Sequence, residues 1–256
     1  MLIVPFAVKF IDERYVLAGA AVVGILLSVQ TFRYNTAWES DLTLWSWTSS
    51  VDDSTFSSMQ YGNALAEVNR NDESINAYTA AIEKRPLPRG YIGRGRVYLK
   101  TKQYAKAQAD LEAASDFPPE QIEAYALYQA YEALGIAFSE QKKYQEAAQN
   151  FAEARTKLPM YSAALTVNLA IVYYQAGQKE AAFRELEGAR DQARKELLPE
   201  SKDVFLRLGM LYQELGRKDD ARKALNEYLD LTASIKNKKT MDSRAQATKI
   251  LEALNK

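Results

Sequence analysis

The sequence predicts an all-α fold, and three observations support this prediction. Residues with high helix propensity, chiefly Ala, Leu, Glu, Lys, Gln and Arg, fill long stretches of the 256-residue chain, which holds 11 Gly and 7 Pro. No stretch after Asn35 shows the sustained apolar–polar alternation that is typical of strands. A pattern of aromatic and small residues also recurs along the chain at helical spacing. We therefore expect helices throughout.

The first apolar element is the uncharged stretch Tyr15–Phe32, YVLAGAAVVGILLSVQTF. As a helix, about 18 residues rise some 27 Å, which is close to the roughly 30 Å of hydrocarbon in a bilayer. Arg14 lies before the stretch, and Arg33 and Trp38 lie after it, where basic and aromatic residues are common at membrane interfaces. The sequence predicts a transmembrane helix over residues 15–34.

Two other interpretations of this stretch stay open. A buried core helix would be amphipathic or would lie among the later repeats, whereas this stretch precedes them. A cleaved leader would have a basic start and a small-residue cleavage site, whereas this chain reads MLIVPF before the stretch and SVQTFRY at its end. Gly19 and Gly24, with the neighbouring alanines, are typical of close helix–helix packing in lipid.

Residues 1–14 are apolar at first and charged afterwards. We expect them to lie in the membrane interface or to follow an earlier membrane element. Lys9 and Arg14 lie before the predicted span and Arg33 lies after it. Because basic residues are enriched on the cytoplasmic side, this distribution favours an extracytoplasmic location for the chain that follows, which would be the periplasmic side in a bacterium.

Residues 35–53 are predicted to form a connector that contains a short helix, since Leu42, Trp45 and Ser49 follow helical spacing. This helix could lie on the membrane surface, or it could pack under the next element as an N-terminal cap. We favour the cap.

An internal repeat occupies residues 54–235. An aromatic residue is followed by a glycine four positions on and by a second aromatic three further on; a polar turn, an alanine and a large apolar residue come next. The matched positions in the three clearest copies are Tyr91, Gly95, Tyr98, Tyr104, Ala107, Leu111, Ala114 and Pro119; Tyr131, Gly135, Phe138, Tyr144, Ala147, Phe151, Ala154 and Pro159; and Phe205, Gly209, Tyr212, Ala221, Leu225 and Tyr228. With two weaker copies, helix pairs are predicted near 55–87, 88–121, 128–161, 163–196 and 202–235, followed by a capping helix over 240–256.

This pattern resembles the tetratricopeptide repeat (TPR), a helix–turn–helix unit of 34 residues. The resemblance implies an α-solenoid of about five helix pairs that binds partner proteins. In such a solenoid, small residues let the paired helices approach closely, and proline ends the second helix because it cannot donate a backbone hydrogen bond. A generic alanine-rich bundle is the alternative.

A second resemblance concerns the junction between the apolar stretch and the repeats. It is similar to the junction in membrane O-mannosyltransferase-like proteins that carry C-terminal TPRs. The residues that carry this similarity are Arg14, Tyr15, Arg33, Trp38, Asp41, Leu44 and Trp45. The chain has no counterpart of that family's catalytic region, so the resemblance implies a topology with extracytoplasmic repeats and no transferase activity.

The composition argues against catalysis. The 33 basic and 33 acidic residues balance, so attraction to nucleic acid is not implied. The chain has no His and no Cys, which removes the usual general base, thiolate nucleophile and zinc ligands. Paired acids occur at Asp12–Glu13, Asp52–Asp53, Asp72–Glu73 and Asp219–Asp220. The last two pairs are expected in the turn or at the start of the second helix of a repeat, where acids interact favourably with the helix dipole, and Asp52–Asp53 is expected to cap the first repeat. We therefore predict no enzyme activity, cofactor, metal site or small-molecule substrate.

The glycines of LPRGYIGRGRVYLK resemble a phosphate-binding loop, but they lie inside a predicted helix with no strand before it, so this site is rejected. The candidate partner-binding residues are those expected on the concave face of the solenoid: Arg89, Arg96, Lys100, Val167, Ile171, Tyr174, Leu206 and Met210. Two interpretations stay open for the basic trio, a solvated face or an anion contact. Two also stay open for the apolar residues, an exposed contact strip or a covered one.

The sequence therefore predicts a single-span, membrane-anchored scaffold that binds proteins, as a subunit or assembly factor of a membrane complex. The alternative is an accessory part of a membrane glycosyltransferase system that presents acceptor polypeptides.

Overall fold

The computed structural model describes residues 13–118, 120–159 and 162–254, and the regular elements within these ranges are α-helices, apart from a 3₁₀ conformation at Pro159. The all-α helical-repeat prediction is confirmed. The chain forms two compact units, residues 1–84 and residues 85–256. Most of the predicted interfacial segment, residues 1–12, lies outside the described residues, as does Pro119, one of the two prolines predicted to close a repeat.

The first unit contains four described helices. They are α1 (Glu13–Ala37), α2 (Asp41–Val51), α3 (Thr55–Glu67) and α4 (Asn71–Lys84). Helix α1 is, within the described part of the chain, the one helix long and apolar enough to cross a membrane. Every residue from Arg14 to Phe32 is exposed, so the residues that the structure describes leave the apolar length of α1 uncovered.

Helix α2 packs on α3, and the rings of Trp45 and Phe56 meet edge to face with centroids 5.8 Å apart. Helix α3 begins at the N-cap Ser54, whose hydroxyl accepts the Ser57 backbone N–H at 3.1 Å. The prediction that Asp52–Asp53 caps the first repeat is wrong, because Ser54 occupies the N-cap position of α3. Asp52 instead ends α2, and its carboxylate accepts the Ser54 hydroxyl at 2.7 Å.

The second unit contains nine described helices, paired in sequence, with the last one unpaired. They are α5 (Pro88–Lys100), α6 (Tyr104–Ser115), α7 (Ala124–Glu140), α8 (Tyr144–Lys157), α9 (Ser162–Gln175), α10 (Lys179–Lys195), α11 (Pro199–Glu214), α12 (Lys218–Leu231) and α13 (Lys238–Leu254). Each first helix packs on its partner, and α9 also packs on α11.

The repeat glycines lie where paired helices come closest. A Cβ added to any of them would lie within 3.0 Å of the large apolar side chain on the partner helix, which is closer than real Cβ contacts. The distances are 2.9 Å for Gly95 to Leu111, 2.7 Å for Gly135 to Phe151 and 2.5 Å for Gly209 to Leu225. Glycine is therefore required at these positions to let the two helices pack.

A buried polar cluster ties three helices together where α10 leads into α11. The Glu196 carboxylate accepts the backbone N–H of Ala163, in the first turn of α9, at 2.9 Å, and it also accepts the Ser201 hydroxyl. The Lys202 ammonium donates to the carbonyls of Ala193 and Glu196, which caps the end of α10. Because buried polar groups are costly when unpaired, this pairing fixes the relative positions of α9, α10 and α11.

Helix α13 covers the end of the repeats. Its Ala247 and Leu254 are buried in the same cluster as Leu225 and Tyr228 of α12, and Arg222 of α12 donates to the Leu254 carbonyl at 2.6 Å. A polar-backed final helix of this kind keeps the last apolar surface of a repeat array out of water.

Candidate functional site

The candidate site is a groove between α9 and α11, floored by α10, which we call the α9–α11 groove. Its volume is about 260 Å³. The lining residues are Ala170, Ile171, Tyr174 and Gln175 of α9, Ala182 and Leu186 of α10, and Arg207, Met210, Leu211 and Glu214 of α11. The groove is mostly apolar, with charged residues at only two positions.

Only three of the five residues of the predicted apolar strip are accessible in the groove. Ile171, Tyr174 and Met210 line the groove, and Tyr174 is 40% exposed. Val167 and Leu206 are 6% and 3% exposed and belong to the core cluster. Their assignment as contact residues is therefore wrong, because α9 and α11 pack on each other at these positions and cover both side chains.

Arg207 is the unusual side chain of the groove. Its Nε is buried without a hydrogen-bond partner among residues 13–118, 120–159 and 162–254. Asp203 lies one turn earlier on α11; burial raises the pKa of that carboxyl, and the positive charges of Lys239 and Arg207 partly oppose the rise. The groove therefore contains a guanidinium whose buried Nε has no hydrogen-bond acceptor among the described residues.

The rim of the groove is held by a three-residue network. The Glu214 carboxylate accepts the Tyr174 hydroxyl at 2.5 Å and the Lys179 ammonium at 3.1 Å. These bonds lower the pKa of Glu214, so it is ionised at neutral pH. The Lys179 ammonium also lies 5.3 Å from the centre of the Tyr174 ring. The network joins α9, α10 and α11 and satisfies the Glu214 carboxylate, so Glu214 is not a partner for the Arg207 Nε, which keeps no hydrogen-bond acceptor among the described residues.

The predicted basic trio lies on α5 and does not line this groove. All three side chains, those of Arg89, Arg96 and Lys100, are exposed. Arg89 pairs with Glu123 at 2.7 Å. Arg96 lies near Glu132, whose pKa is raised by burial and partly lowered again by that positive charge.

The described residues hold no cluster of three or more acidic side chains that could bind a metal ion. Asp72 and Glu73 lie in the first turn of α4, and Asp219 and Asp220 in the first turn of α12, as predicted for helix N-termini.

Sequence reasoning missed Arg207 and Glu214. Both lie on α11 among the residues FLRLGMLYQE, one charge at each end of an apolar run and seven positions apart. This spacing of two helical turns places both charges on one face of the helix. The spacing of Arg207 and Glu214 could have indicated this face. It was missed because the repeat pattern is defined by aromatic and glycine positions, and neither residue is one of them.

Comparison with known proteins agrees with the repeat pattern. Tetratricopeptide-repeat family models match residues 61–122 and 161–234, together more than half of the chain. The chain is a tetratricopeptide repeat protein. Members of this family are generally scaffolds that bind other proteins and have no catalytic activity of their own. No curated protein sequence matches this chain.

Solved structures share its fold. The APC/C hetero-tetramer Cut9–Hcn1 matches with a TM-score of 0.57 at 18% identity, over 79% of this chain and 38% of that chain. TTC0263, a thermophilic TPR protein of Thermus thermophilus, matches with a TM-score of 0.56 at 20% identity, over 78% of this chain and 100% of that chain. A TPR protein of Parabacteroides merdae matches with a TM-score of 0.58 at 14% identity, over 91% of this chain and 82% of that chain.

At these identities the similarity concerns the fold alone. This chain also spans well under half of the Cut9–Hcn1 chain that it matches. None of the comparisons concerns the O-mannosyltransferase-like junction, and the topology and the glycosyltransferase alternative that it suggests stay predictions.

Proposed function

We propose that this TPR protein is a membrane-anchored scaffold whose α9–α11 groove binds a polypeptide segment of a partner, one large apolar side chain next to a carboxylate. The observation that carries the proposal is the Arg207 guanidinium, which lies in an apolar groove with a buried, unpartnered Nε. The scaffold acts as a subunit or assembly factor of a membrane complex.

The energetics favour an acidic ligand. A buried donor left without an acceptor costs about 1–3 kcal/mol, and a ligand carboxylate would recover this while forming a charge-assisted bond. The apolar lining contributed by Ile171, Met210 and Leu211 would gain about 25 cal/mol for each Å² that it buries against a ligand side chain. At about 260 Å³ the groove fits one or two side chains, which suits a short segment better than the surface of a folded domain.

Two features support anchoring in a membrane by α1. Its 25 residues exceed the roughly 20 that are needed to cross a bilayer, and its apolar side chains have no protein cover in the described structure. The sequence from Tyr34 to Asn69 contains no Lys or Arg, which favours an extracytoplasmic location for the repeats. Gly19 and Gly24 have nothing within 4 Å of an added Cβ, and we propose that they face another transmembrane helix of the complex.

The other predicted surface, Arg89, Arg96 and Lys100 on α5, is proposed as a secondary contact for acidic partner residues. Arg89 already pairs with Glu123, so we expect this surface to contribute less to affinity than the groove.

The groove is tested by selecting peptides from a random library on the purified full-length protein in detergent. We expect enrichment of Leu, Met or Phe next to Asp, Glu or a C-terminal carboxylate. Arg207→Gln should weaken binding of a selected peptide by about tenfold to a hundredfold and abolish the preference for an acid. Arg184→Gln is the matched control, because Arg184 is exposed and does not line the groove.

Circular dichroism would show that both variants fold equally well. Equal peptide binding by the two variants would contradict the role of Arg207. Unchanged selection by an Ile171→Asp variant would show that the peptides bind elsewhere and that the groove is not the site.

A further inference from the structure

The end of the apolar helix α1 is joined to α2 by a defined set of contacts, which we call the α1–α2 joint (residues 34–47). The backbone N–H of Trp38 donates to the Asn35 carbonyl at 3.2 Å. Ser40 and Thr43 form a reciprocal capping box at the start of α2, and the Thr43 hydroxyl also lies 3.2 Å from the Ala37 carbonyl, to which it donates. Ala37 itself is 5% exposed. The junction is therefore packed and hydrogen-bonded.

Two aromatic contacts continue this joint into the first helix pair. The rings of Tyr34 on α1 and Trp47 on α2 meet edge to face with centroids 5.1 Å apart. On the same helix, Trp45 contacts Phe56 of α3. Since aromatic pairs of this kind stabilise by about 0.5–1.5 kcal/mol beyond the area they bury, α1, α2 and α3 are coupled through ring contacts as well as through the chain.

The backbone of Trp38 belongs to the joint, but its side chain takes no part in this packing. Its side chain is 72% exposed, although Trp is usually well buried. It follows Phe32, the last residue of the uncharged stretch, by six positions, which is about 9 Å along a helix axis. With Phe32 at the hydrocarbon boundary, the backbone of Trp38 lies just beyond the headgroup layer, which is roughly 5–8 Å thick on each side of the hydrocarbon. The long indole side chain can reach back into that layer.

Charge does not explain an attraction to lipid here. The first unit has the acids Glu39, Asp41, Asp52 and Asp53 near the joint, and no Lys or Arg between Arg33 and Arg70. Anionic headgroups would repel this surface. An amphipathic Trp at the headgroup level, which prefers the interface without needing net charge, fits these observations better.

We propose that Trp38 lies in the lipid headgroup layer and that the α1–α2 joint holds the helix pair α3–α4 at a fixed orientation against the membrane surface. The proposal rests on the membrane anchoring proposed above and adds an interfacial contact and a rigid connection to it. The repeats then begin at the bilayer surface and are not tethered by a flexible linker.

The chain's three tryptophans are Trp38, Trp45 and Trp47, so intrinsic tryptophan fluorescence reports on this segment alone. The full chain is reconstituted in phosphatidylcholine vesicles whose acyl chains carry bromine near the headgroup. In Trp45→Phe/Trp47→Phe, which retains Trp38, we expect quenching of at least about twofold. In the matched variant Trp38→Phe/Trp47→Phe, which retains Trp45 against Phe56, we expect clearly less quenching.

The outcomes separate this proposal from the anchoring. If the protein does not float with the vesicles, the anchoring fails. If it floats but Trp38 is quenched by aqueous iodide and not by bromine, the interfacial contact is wrong. The contact is equally wrong if neither agent reaches Trp38, since a protein surface then covers it. Quenching that appears only with anionic lipid would also contradict the proposal, because it would require basic residues.

The absence of Cys allows a clean test of the joint. Nitroxides are placed at Thr31→Cys on α1 and Ser46→Cys on α2, both exposed positions. We expect one narrow distance distribution, which broadens when Ser40→Ala and Thr43→Ala remove the capping box. A distribution that is already broad without these two changes would overturn the rigid connection, whatever Trp38 does.

Discussion

Helices α1 and α9 are both almost free of charge, yet their surroundings are opposite. The apolar residues of α1, from Tyr15 to Phe32, are 39–73% exposed where they are large. Helix α9 reads SAALTVNLAIVYYQ and has no charged residue, but its Leu165, Leu169 and Val172 are only 1–2% exposed. Two helices of similar apolar composition thus differ in burial: α9 forms part of the core, whereas α1 is uncovered in the described structure.

Neighbouring elements explain the difference. Helix α9 has 14 residues and packs on α8, α10 and α11, and α10 is amphipathic, with Ala182, Leu186 and Ala189 buried and its charges outside. Helix α1 has 25 residues and packs on α2 at its C-terminal end, leaving the rest uncovered in the described structure. An apolar helix is covered when its position in a repeat supplies partners, so composition alone does not distinguish a core helix from a span.

Introducing the same charge into both helices should have the largest effect. Val172→Asp buries an unpaired carboxylate, and we expect it to reduce the free energy of unfolding by more than about 4 kcal/mol. Val23→Asp should leave the thermal unfolding of the repeats unchanged while disfavouring membrane insertion by about 2.5–3.5 kcal/mol. Melting followed by circular dichroism and flotation with vesicles measure the two effects. If Val23→Asp also unfolded the repeats, α1 would be a core helix.

Glycine substitutions sharpen the same comparison at a smaller scale. Gly209→Ala places a Cβ 2.5 Å from Leu225, and we expect a loss of about 1–3 kcal/mol from overpacking. Gly188→Ala on α10 and Gly24→Ala on α1 meet nothing within 4 Å. We expect the first to gain up to about 1 kcal/mol from helix propensity and the second to leave the melting temperature of the repeats unchanged. Equal losses at all three positions would show that helix approach is not what selects the glycine.

The smallest effect concerns the half-buried Glu132, whose pKa is raised mainly by burial, with Arg96 and Tyr128 opposing and Glu200 adding to the rise. The pKa of Glu132 in the folded state exceeds its unfolded value of about 4.3. Above the raised pKa, the ionised carboxylate therefore lowers the free energy of unfolding, and this loss is recovered as the pH falls toward about 4.3. Glu132→Gln should therefore stabilise at pH 7 by less than about 1 kcal/mol, with the gain disappearing near pH 4. Unfolding by urea at the two pH values measures this difference. A gain that persists at pH 4 would have another origin.

The sequence predicted the fold well because the repeat places chemically distinctive residues at helix contacts. Gly95, Gly135 and Gly209 meet the very residues that the repeat pattern pairs with them. It predicted the groove poorly because Val167 and Ile171 are one turn apart and equally apolar, yet only the second is accessible. That distinction depends on a small rotation of α9 against α11, which residue type does not encode. The prediction of the α3 N-cap was wrong for a related reason. Asp and Ser are both favourable N-cap residues, so residue type does not decide between Asp52, Asp53 and Ser54.

The buried cluster of Glu196, Ser201 and Lys202 has a consequence for the covalent chain. Directly beside it, Leu197 is 98% exposed in the three-residue link between α10 and α11. Glu196, the first residue of this link, joins the helices on either side through its contacts with Ala163, Ser201 and Lys202. We therefore expect a nick or an inserted sequence after Leu197 to leave the two halves associated. New chain termini, or a reporter domain, can therefore be introduced here without dismantling the array.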